Sequence, residues 1–131
     1  MKVLAIICRI LLGLVFVFFG LNVFLNFLHA APPPPGTPIG DFTNVMMASG
    51  WMKVVGALQI LGGLLVWTGG LTPLGLVILC PITLNILLFH SLLAGGHGIL
   101  PGVITALLEL ILIVCYKSSF AGILTTKATT V

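Results

Sequence analysis

Apolar residues run through this chain in four long blocks, separated by short segments rich in proline, glycine or polar residues. A helix needs about 20 mainly apolar residues to cross a hydrocarbon core of about 30 Å, and each block approaches that length. We therefore expect an all-α fold, a transmembrane four-helix antiparallel bundle. The predicted spans cover about residues 3–28, 43–68, 73–94 and 100–117. Residues 1–131 then form a single transmembrane domain that ends in a polar C-terminal tail over 118–131.

The first apolar block begins near the start of the chain, as a secretory signal would. It is about twice as long as the 7 to 15 apolar residues of such a signal, and Leu28, His29 and Ala30 form a poor cleavage site. We therefore expect a retained first span. The prolines at 32–35 should lie outside the helix because proline lacks the amide hydrogen that a helix needs.

Glycines recur at helix-packing intervals in the first two predicted spans. Gly13 and Gly20 are seven residues apart, as are Gly56 and Gly63, so each pair lies on one helix face. Small residues on such a face let two backbones approach closely. We expect these faces to mark helix contacts, although glycine is also simply common in membrane helices.

Composition supports a membrane protein and excludes some functions. The chain is 60% hydrophobic and only 5% charged, whereas soluble domains carry about 25% charged residues. The formal net charge of +3 comes from five scattered basic residues, so nucleic-acid binding is excluded. The basic residues are Lys2, Arg9, Lys53, Lys117 and Lys127.

Charge placement predicts the orientation. An even number of spans puts both termini on one side, and that side carries Lys2, Arg9, Lys117 and Lys127. The positive-inside rule makes it cytoplasmic. We expect a multi-pass protein of a bacterial inner or cell membrane, with the proline-rich loop outside.

Two charged residues fall within the predicted spans at similar depth. Arg9 lies seven residues after Lys2, and Glu109 lies eight before Lys117, which places both about 10 to 12 Å from the same membrane surface. Because intramembrane charges are costly and usually paired, we expect a structural ion pair between Arg9 and Glu109. The alternative has Arg9 reaching the headgroups and Glu109 protonated.

Uncharged polar residues, together with Lys53, concentrate toward the opposite end. They predict an outward-facing polar pocket, although Asn85 and His90 lie about 140° apart on a regular helical wheel and need a distortion near Pro81 to share it. The candidate lining residues are Asn22, Asn26, Lys53, Gln59, Asn85 and His90. The alternative is interhelical hydrogen bonding, at about 0.6 kcal/mol for each bond.

The pocket chemistry favours a quinone headgroup or another small polar ligand as cofactor. A weaker interpretation uses His90 as a ligand to the metal of a haem or chlorophyll, but no histidine has a paired spacing, so no metal site is predicted. No hydrolase triad, phosphate loop or dinucleotide fingerprint is present. No catalytic residue is assigned, and enzymatic activity is disfavoured without being excluded.

Several short stretches, spread in order over almost the whole chain, form a recognisable pattern: 9–16 (RILLGLVF), 19–22 (FGLN), 27–28 (FL), 53–59 (KVVGALQ), 71–74 (LTPL), 85–90 (NILLFH) and 109–117 (ELILIVCYK). In these stretches the chain resembles the DoxX-like family of small four-span membrane proteins. The resemblance implies links to respiratory and sulfur-oxidising complexes, including subunits of terminal oxidases and of a thiosulfate:quinone oxidoreductase, and to oxidative-stress assemblies. It also implies that relatives often carry Glu where this chain has Gln59.

Three functions follow as expectations. The first is a non-catalytic accessory or structural subunit of a larger redox or electron-transport complex, with the bilayer and other membrane subunits as partners. The second is a quinone-binding or quinone-reductase subunit that uses the outward pocket, and the third is a subunit that contacts a tetrapyrrole or pigment. A transporter is the weakest alternative because no inverted repeat is evident. A homo-oligomer is compatible with all of them.

Overall fold

The computed structural model describes residues 1–127 and 129–131, and this part of the chain is all-helical. Three of its helices are long and apolar enough to cross a bilayer: α1, α3, and α4 together with the π-helical turn that continues it over Thr72–Leu93. By length and composition, the chain is a membrane protein. The helices are α1 (Lys2–Leu25), α2 (Pro38–Ala48), α3 (Trp51–Thr68), α4 (Thr72–Leu88) with its π turn (Phe89–Leu93), α5 (Leu100–Cys115) and α6 (Lys117–Phe120).

The second predicted span is two helices rather than one. The chain turns at Ser49 and Gly50, and Gly50 adopts a left-handed φ of 79°, a conformation that glycine reaches without steric cost. The first of the two helices, α2, begins earlier than expected because Thr37 caps it, accepting a hydrogen bond from the Gly40 amide at 3.2 Å. The expected span over 43–68 therefore reduces to α3.

The first and last spans are shorter than expected. α1 ends at Leu25 rather than near Leu28, because Asn26 takes a left-handed φ of 46° and closes the helix as a C-terminal residue of this type commonly does. α5 has 16 residues, or about 24 Å of helix, and ends where Tyr116 leaves helical geometry. The third span, expected over 73–94, lies within a residue of the observed Thr72–Leu93.

Glycines bring α1 and α3 into backbone contact. A β-carbon on Gly13 would lie 2.8 Å from the Gly63 carbonyl oxygen, and one on Gly20 would lie 2.8 Å from the Gly56 carbonyl oxygen. No side chain larger than hydrogen fits at either point. The two helices run in opposite directions, and the predicted glycine faces are confirmed.

Glycines also allow close contact between α3 and α4. A β-carbon on Gly62 would lie 2.7 Å from Leu79, and one on Gly75 would lie 2.9 Å from the Gly62 carbonyl oxygen. α4 in turn packs against α5 near Gly102, where Ile86 is 3.1 Å from the position of a β-carbon. Around these contacts lies a core whose largest fully buried apolar side chains are Leu12, Phe16, Val66, Leu76, Leu79 and Leu112.

Candidate functional site

A cavity of about 590 Å³ lies between α2, the first half of α3 and the second half of α4. We call it the α2 cavity. Most of its wall is apolar, aromatic or thioether surface, and its polar side chains are those of Thr43, Gln59, Asn85 and His90. Three of the six predicted pocket residues therefore meet in one cavity, at the end of the molecule opposite the chain termini.

Gln59 is the most buried polar residue of this cavity, with 5% of its surface exposed. It is held deep because its neighbours Gly56 and Gly63 pack directly against α1. Within the described residues, its Oε1 atom is fully buried and accepts no hydrogen bond. Since buried side-chain polar atoms nearly always have a partner, this oxygen is an unused acceptor on a residue of the cavity lining.

Asn85 and His90 both line the cavity, although two residues five apart point about 140° apart in a regular α-helix. The helix is of the α type up to Phe89, whose amide bonds to the Asn85 carbonyl. A π turn over Phe89–Leu93 follows, and the bond from the Ala94 amide to the Phe89 carbonyl spans five residues. The cavity is therefore lined from two directions of the same helix.

The His90 ring is fixed by a backbone acceptor. Its Nδ1 lies 2.8 Å from the His97 carbonyl oxygen, and a carbonyl can only accept, so Nδ1 carries the hydrogen. In the neutral ring, Nε2 is then an acceptor. Gly98 leaves room for this arrangement, because a β-carbon there would stand 3.2 Å from the ring.

Helix α2 covers one side of the cavity through aromatic and thioether side chains. The Phe42 ring lies 5.6 Å from the Phe89 ring, centroid to centroid, within the usual range for aromatic pairs. Met46 and Met47 contribute flexible apolar surface next to Trp51. None of these α2 residues was among the predicted pocket residues. The signal that could have identified them is the Ser49-Gly50 pair, which allows the chain to turn and lay α2 beside α3.

The other three predicted pocket residues lie elsewhere. The Asn22 side chain accepts a hydrogen bond from the Leu28 amide at 2.9 Å, and Asn26 is the left-handed residue that ends α1. Both serve the local termination of α1. Lys53 is exposed on α3 and does not line the cavity. The expected pocket of six residues is therefore corrected to Gln59, Asn85 and His90.

The expected ion pair between Arg9 and Glu109 is wrong for the part of the chain that the structure describes. Arg9 Nε donates to the Val66 carbonyl oxygen at 3.1 Å, and Nη2 donates to that of Trp67 at 3.3 Å. The last carbonyls of a helix have no partner within it, and a cation there is favourable. Arg9 therefore ties α1 to the end of α3 rather than to α5.

Glu109 has a different partner. It is 4% exposed, and the Thr83 hydroxyl donates to its Oε1 at 2.7 Å. Thr83 is itself buried on α4, and the Cys80 thiol, one turn earlier, approaches the same carboxyl group. The α5 carboxyl group is thus used to join α5 to α4.

Among residues 1–127 and 129–131, no group of three or more His, Cys, Asp and Glu side chains could hold a metal ion. The three cysteines, Cys8, Cys80 and Cys115, are free thiols. The residues of the α2 cavity can bind a small molecule through hydrogen bonds and apolar contacts.

No family model, no curated protein and no solved structure matches the chain.

Proposed function

We propose that this chain is a membrane protein that binds, in the α2 cavity, a lipid-soluble molecule of the quinol class. The observation that carries the proposal is Gln59, a residue of the cavity lining whose buried Oε1 atom has no hydrogen-bond donor among the described residues. A buried polar atom without a partner costs about 1 to 3 kcal/mol. A ligand hydroxyl that donated to this oxygen would remove that cost, so the site favours a ligand that carries such a donor.

His90 supports the same class of ligand. Its Nδ1 is engaged by the His97 carbonyl, so its Nε2 offers a second acceptor. Two acceptors on one cavity suit a molecule with two hydroxyl groups, as a quinol has. The oxidised quinone can only accept, so it would use the amide N–H groups of Asn85 and Gln59 in place of these two acceptors.

The size and lining of the cavity suit a planar ring. Its volume of about 590 Å³ lies within the roughly 300 to 1,000 Å³ of small-molecule sites. Phe42 and Trp51 supply aromatic faces, and the methionines supply adaptable contact surface. A lipid-soluble ligand reaches such a site from the bilayer, which surrounds the exposed apolar residues of α3 and α4.

The four-span antiparallel bundle is part of the proposal. Although α5 has only 16 residues, it packs beside α4 through Gly102, and its outward side chains Ile104, Leu107 and Val114 are apolar and exposed. These features suit a lipid-facing fourth span. The basic residues near the termini favour a cytoplasmic location for both, so the α2 cavity would face the outside.

The quinol site can be tested through Trp51, one of two tryptophans in the chain. In a Trp67→Phe background, Trp51 emission is measured while a short-chain quinol, or its quinone, is titrated into the detergent-solubilised protein. We expect saturable binding that favours the quinol. Gln59→Leu should weaken it about 2- to 12-fold, the equivalent of one net hydrogen bond of about 0.5 to 1.5 kcal/mol.

The matched control is Asn44→Leu, which makes the same kind of change on exposed α2 surface outside the cavity lining. It should leave the titration unchanged. Absence of saturable binding would overturn the proposal, as would equal affinity for Gln59→Leu when its circular dichroism shows a normal helix content.

We also propose that the chain is a DoxX-like protein and an accessory subunit of an electron-transport complex. The support for both is the set of short stretches that resemble this family. A quinol site is compatible with both. Native purification followed by mass spectrometry of the co-purifying chains tests the accessory role. Recovery with larger redox subunits supports it, and recovery of the chain alone or only with copies of itself contradicts it.

A further inference from the structure

We propose that a second cavity, at the end of the molecule that carries the termini, binds the headgroup of an anionic phospholipid. This cavity has a volume of about 290 Å³ and lies between the start of α1 and the end of α5. We call it the basic cavity. Its polar lining comes from Lys2, Arg9 and Tyr116, and it is separate from the α2 cavity and independent of the proposed quinol site.

The first observation is that Arg9 has no anionic partner. It is half-buried and uses its Nε and Nη2 atoms on two backbone carbonyls of α3. A guanidinium has five N–H donors, so donors remain beyond these two bonds, and Arg9 is a residue of the cavity lining. Within residues 1–127 and 129–131, no carboxylate lies in ion-pair range of Arg9. The two carbonyls therefore hold the side chain, while its positive charge and its remaining donors are open to an anionic ligand.

The second observation is the sign of the charge around the cavity. Lys2 lines it, and Lys117 directly follows the lining residue Tyr116. The chain has only two acidic residues: Asp41 belongs to α2 at the opposite end, and Glu109 is buried against Thr83. The cavity therefore presents cations and a phenol hydroxyl to a ligand, and no opposing carboxylate.

The third observation is the place of the cavity at the ends of two membrane helices. Its floor contains the apolar side chains of Ala5 and Ile6, and the exposed residues beside it on α1, Val3 and Ile7, are apolar as well. Lys2 lies at the start of α1 and Arg9 about 10 Å further along it, with the apolar surface of Ala5 and Ile6 between them. A phospholipid suits this arrangement, with its phosphate near Lys2, polar headgroup atoms within reach of the basic side chains and its chains along α1, whereas a free phosphate ion has no apolar part. Basic pockets between membrane helices on the cytoplasmic side commonly bind such headgroups.

The test uses the full chain and two lipids that differ in headgroup charge. The protein is released from nanodiscs that contain equal amounts of phosphatidylglycerol and phosphatidylcholine, and the retained lipids are counted by native mass spectrometry. We expect one phosphatidylglycerol to be retained in preference to phosphatidylcholine. Lys2→Gln should reduce that preference about fivefold, the contribution of one lysine near the surface.

Lys53→Gln is the matched control, because Lys53 is also an exposed lysine but lies on α3 near the α2 end. It should retain the lipid as the unmodified protein does. Arg9 itself is a poor test residue because it also holds the end of α3. Lys2 is exposed at the first position of α1, so its replacement leaves the helix contacts intact.

A second arm separates the lipid from a free anion. Inorganic phosphate is titrated against the lipid-bound protein in a neutral detergent, and retained phosphatidylglycerol is counted again. Retention at millimolar phosphate supports the phospholipid. Displacement by phosphate, equal retention of the two lipids, or no effect of Lys2→Gln would each overturn the proposal.

Discussion

The guanidinium of Arg9 occupies the space that a side chain on Gly69 would fill, as the position of a β-carbon built on Gly69 shows. Gly69 ends α3 with a left-handed φ of 81°, and Arg9 reaches across from α1 to the carbonyls of Val66 and Trp67. The glycine is thus needed twice, for its backbone conformation and for the room it leaves. An arginine inside the predicted membrane span acquires its partners in this way.

Gly69→Ala should therefore destabilise the protein more than Gly50→Ala. Gly50 has nearly the same φ, 79°, with open space around its β-carbon position. Both changes carry the left-handed penalty of about 1 to 2 kcal/mol, but only Gly69→Ala also displaces Arg9. We expect an additional loss of about 1 to 3 kcal/mol, as for other overpacked sites. Unfolding by sodium dodecyl sulfate in mixed micelles measures both, and equal losses would contradict the role given to Arg9.

Gly13→Ala should weaken the contact between α1 and α3. The new methyl group would lie 2.6 Å from the Trp67 β-carbon and 2.8 Å from the Gly63 carbonyl oxygen, so the helices must separate. We expect a loss of about 1 to 3 kcal/mol, measured in the same unfolding assay.

The control for that substitution is Gly70→Ala. Gly70 has no neighbour within 4 Å of its β-carbon position and does not have a positive φ. Alanine there should leave stability unchanged or raise it by about 0.4 to 1 kcal/mol through the unfolded chain. A stable Gly13→Ala protein would show that the backbones are not in contact.

Thr83→Val and Thr72→Val should have opposite effects, although both residues are buried on α4. The Thr83 hydroxyl donates to Glu109 at 2.7 Å, whereas the Thr72 hydroxyl has no partner among the described residues. Losing an interhelical hydrogen bond in a membrane costs about 0.6 kcal/mol on average and up to about 1.7. Removing the unpartnered hydroxyl should be neutral or stabilising. Unfolding free energies measured side by side decide the matter, and a larger loss for Thr72→Val would contradict the assigned bond.

Phe42→Ala should loosen α2 without disturbing the other helices. The ring of Phe42 contacts the ring of Phe89 and is one of the links between α2 and α4. Hydrogen–deuterium exchange should become faster over Pro38–Ala48 and stay unchanged over Trp51–Thr68. Val45→Ala, a change at an exposed apolar residue of the same helix, is the control and should leave both segments as they were. Unchanged exchange in Phe42→Ala would mean that the ring pair does not hold α2.

Several features of the fold could be predicted because they depend on local spacing. Gly13 and Gly20 lie seven residues apart, which is enough to place both on one face, and that face is where α3 packs. The three long helices likewise follow from lengths of apolar sequence. The break at Gly50 does not follow from the length of apolar sequence. Its one signal is the Ser49-Gly50 pair, which is weak because a single glycine within an apolar block is common in membrane helices.

The error over Arg9 and Glu109 has a specific cause. The prediction rested on similar depth in the two spans, and depth does not say which neighbour a side chain faces. Arg9 lies four residues before Gly13, so it shares the face that packs on α3, and this spacing was a usable signal. The π turn that begins beside His90 carried no such signal, because it depends on hydrogen bonds that the residue pattern does not reveal.

The glycine contact between α1 and α3 also has a consequence for biogenesis. The partner of the first helix is not the next segment but one whose last residues are about 40 positions further along the chain. During synthesis α1 therefore enters the bilayer before its partner exists, which its strongly apolar composition allows. α3 is synthesised after α1. Because α3 carries the buried Gln59 and is the least apolar of the three long helices, its insertion should be stabilised by contact with α1, which is already in the bilayer. Folding of this protein should thus begin only after translation has passed Thr68, with α1 waiting in lipid until then.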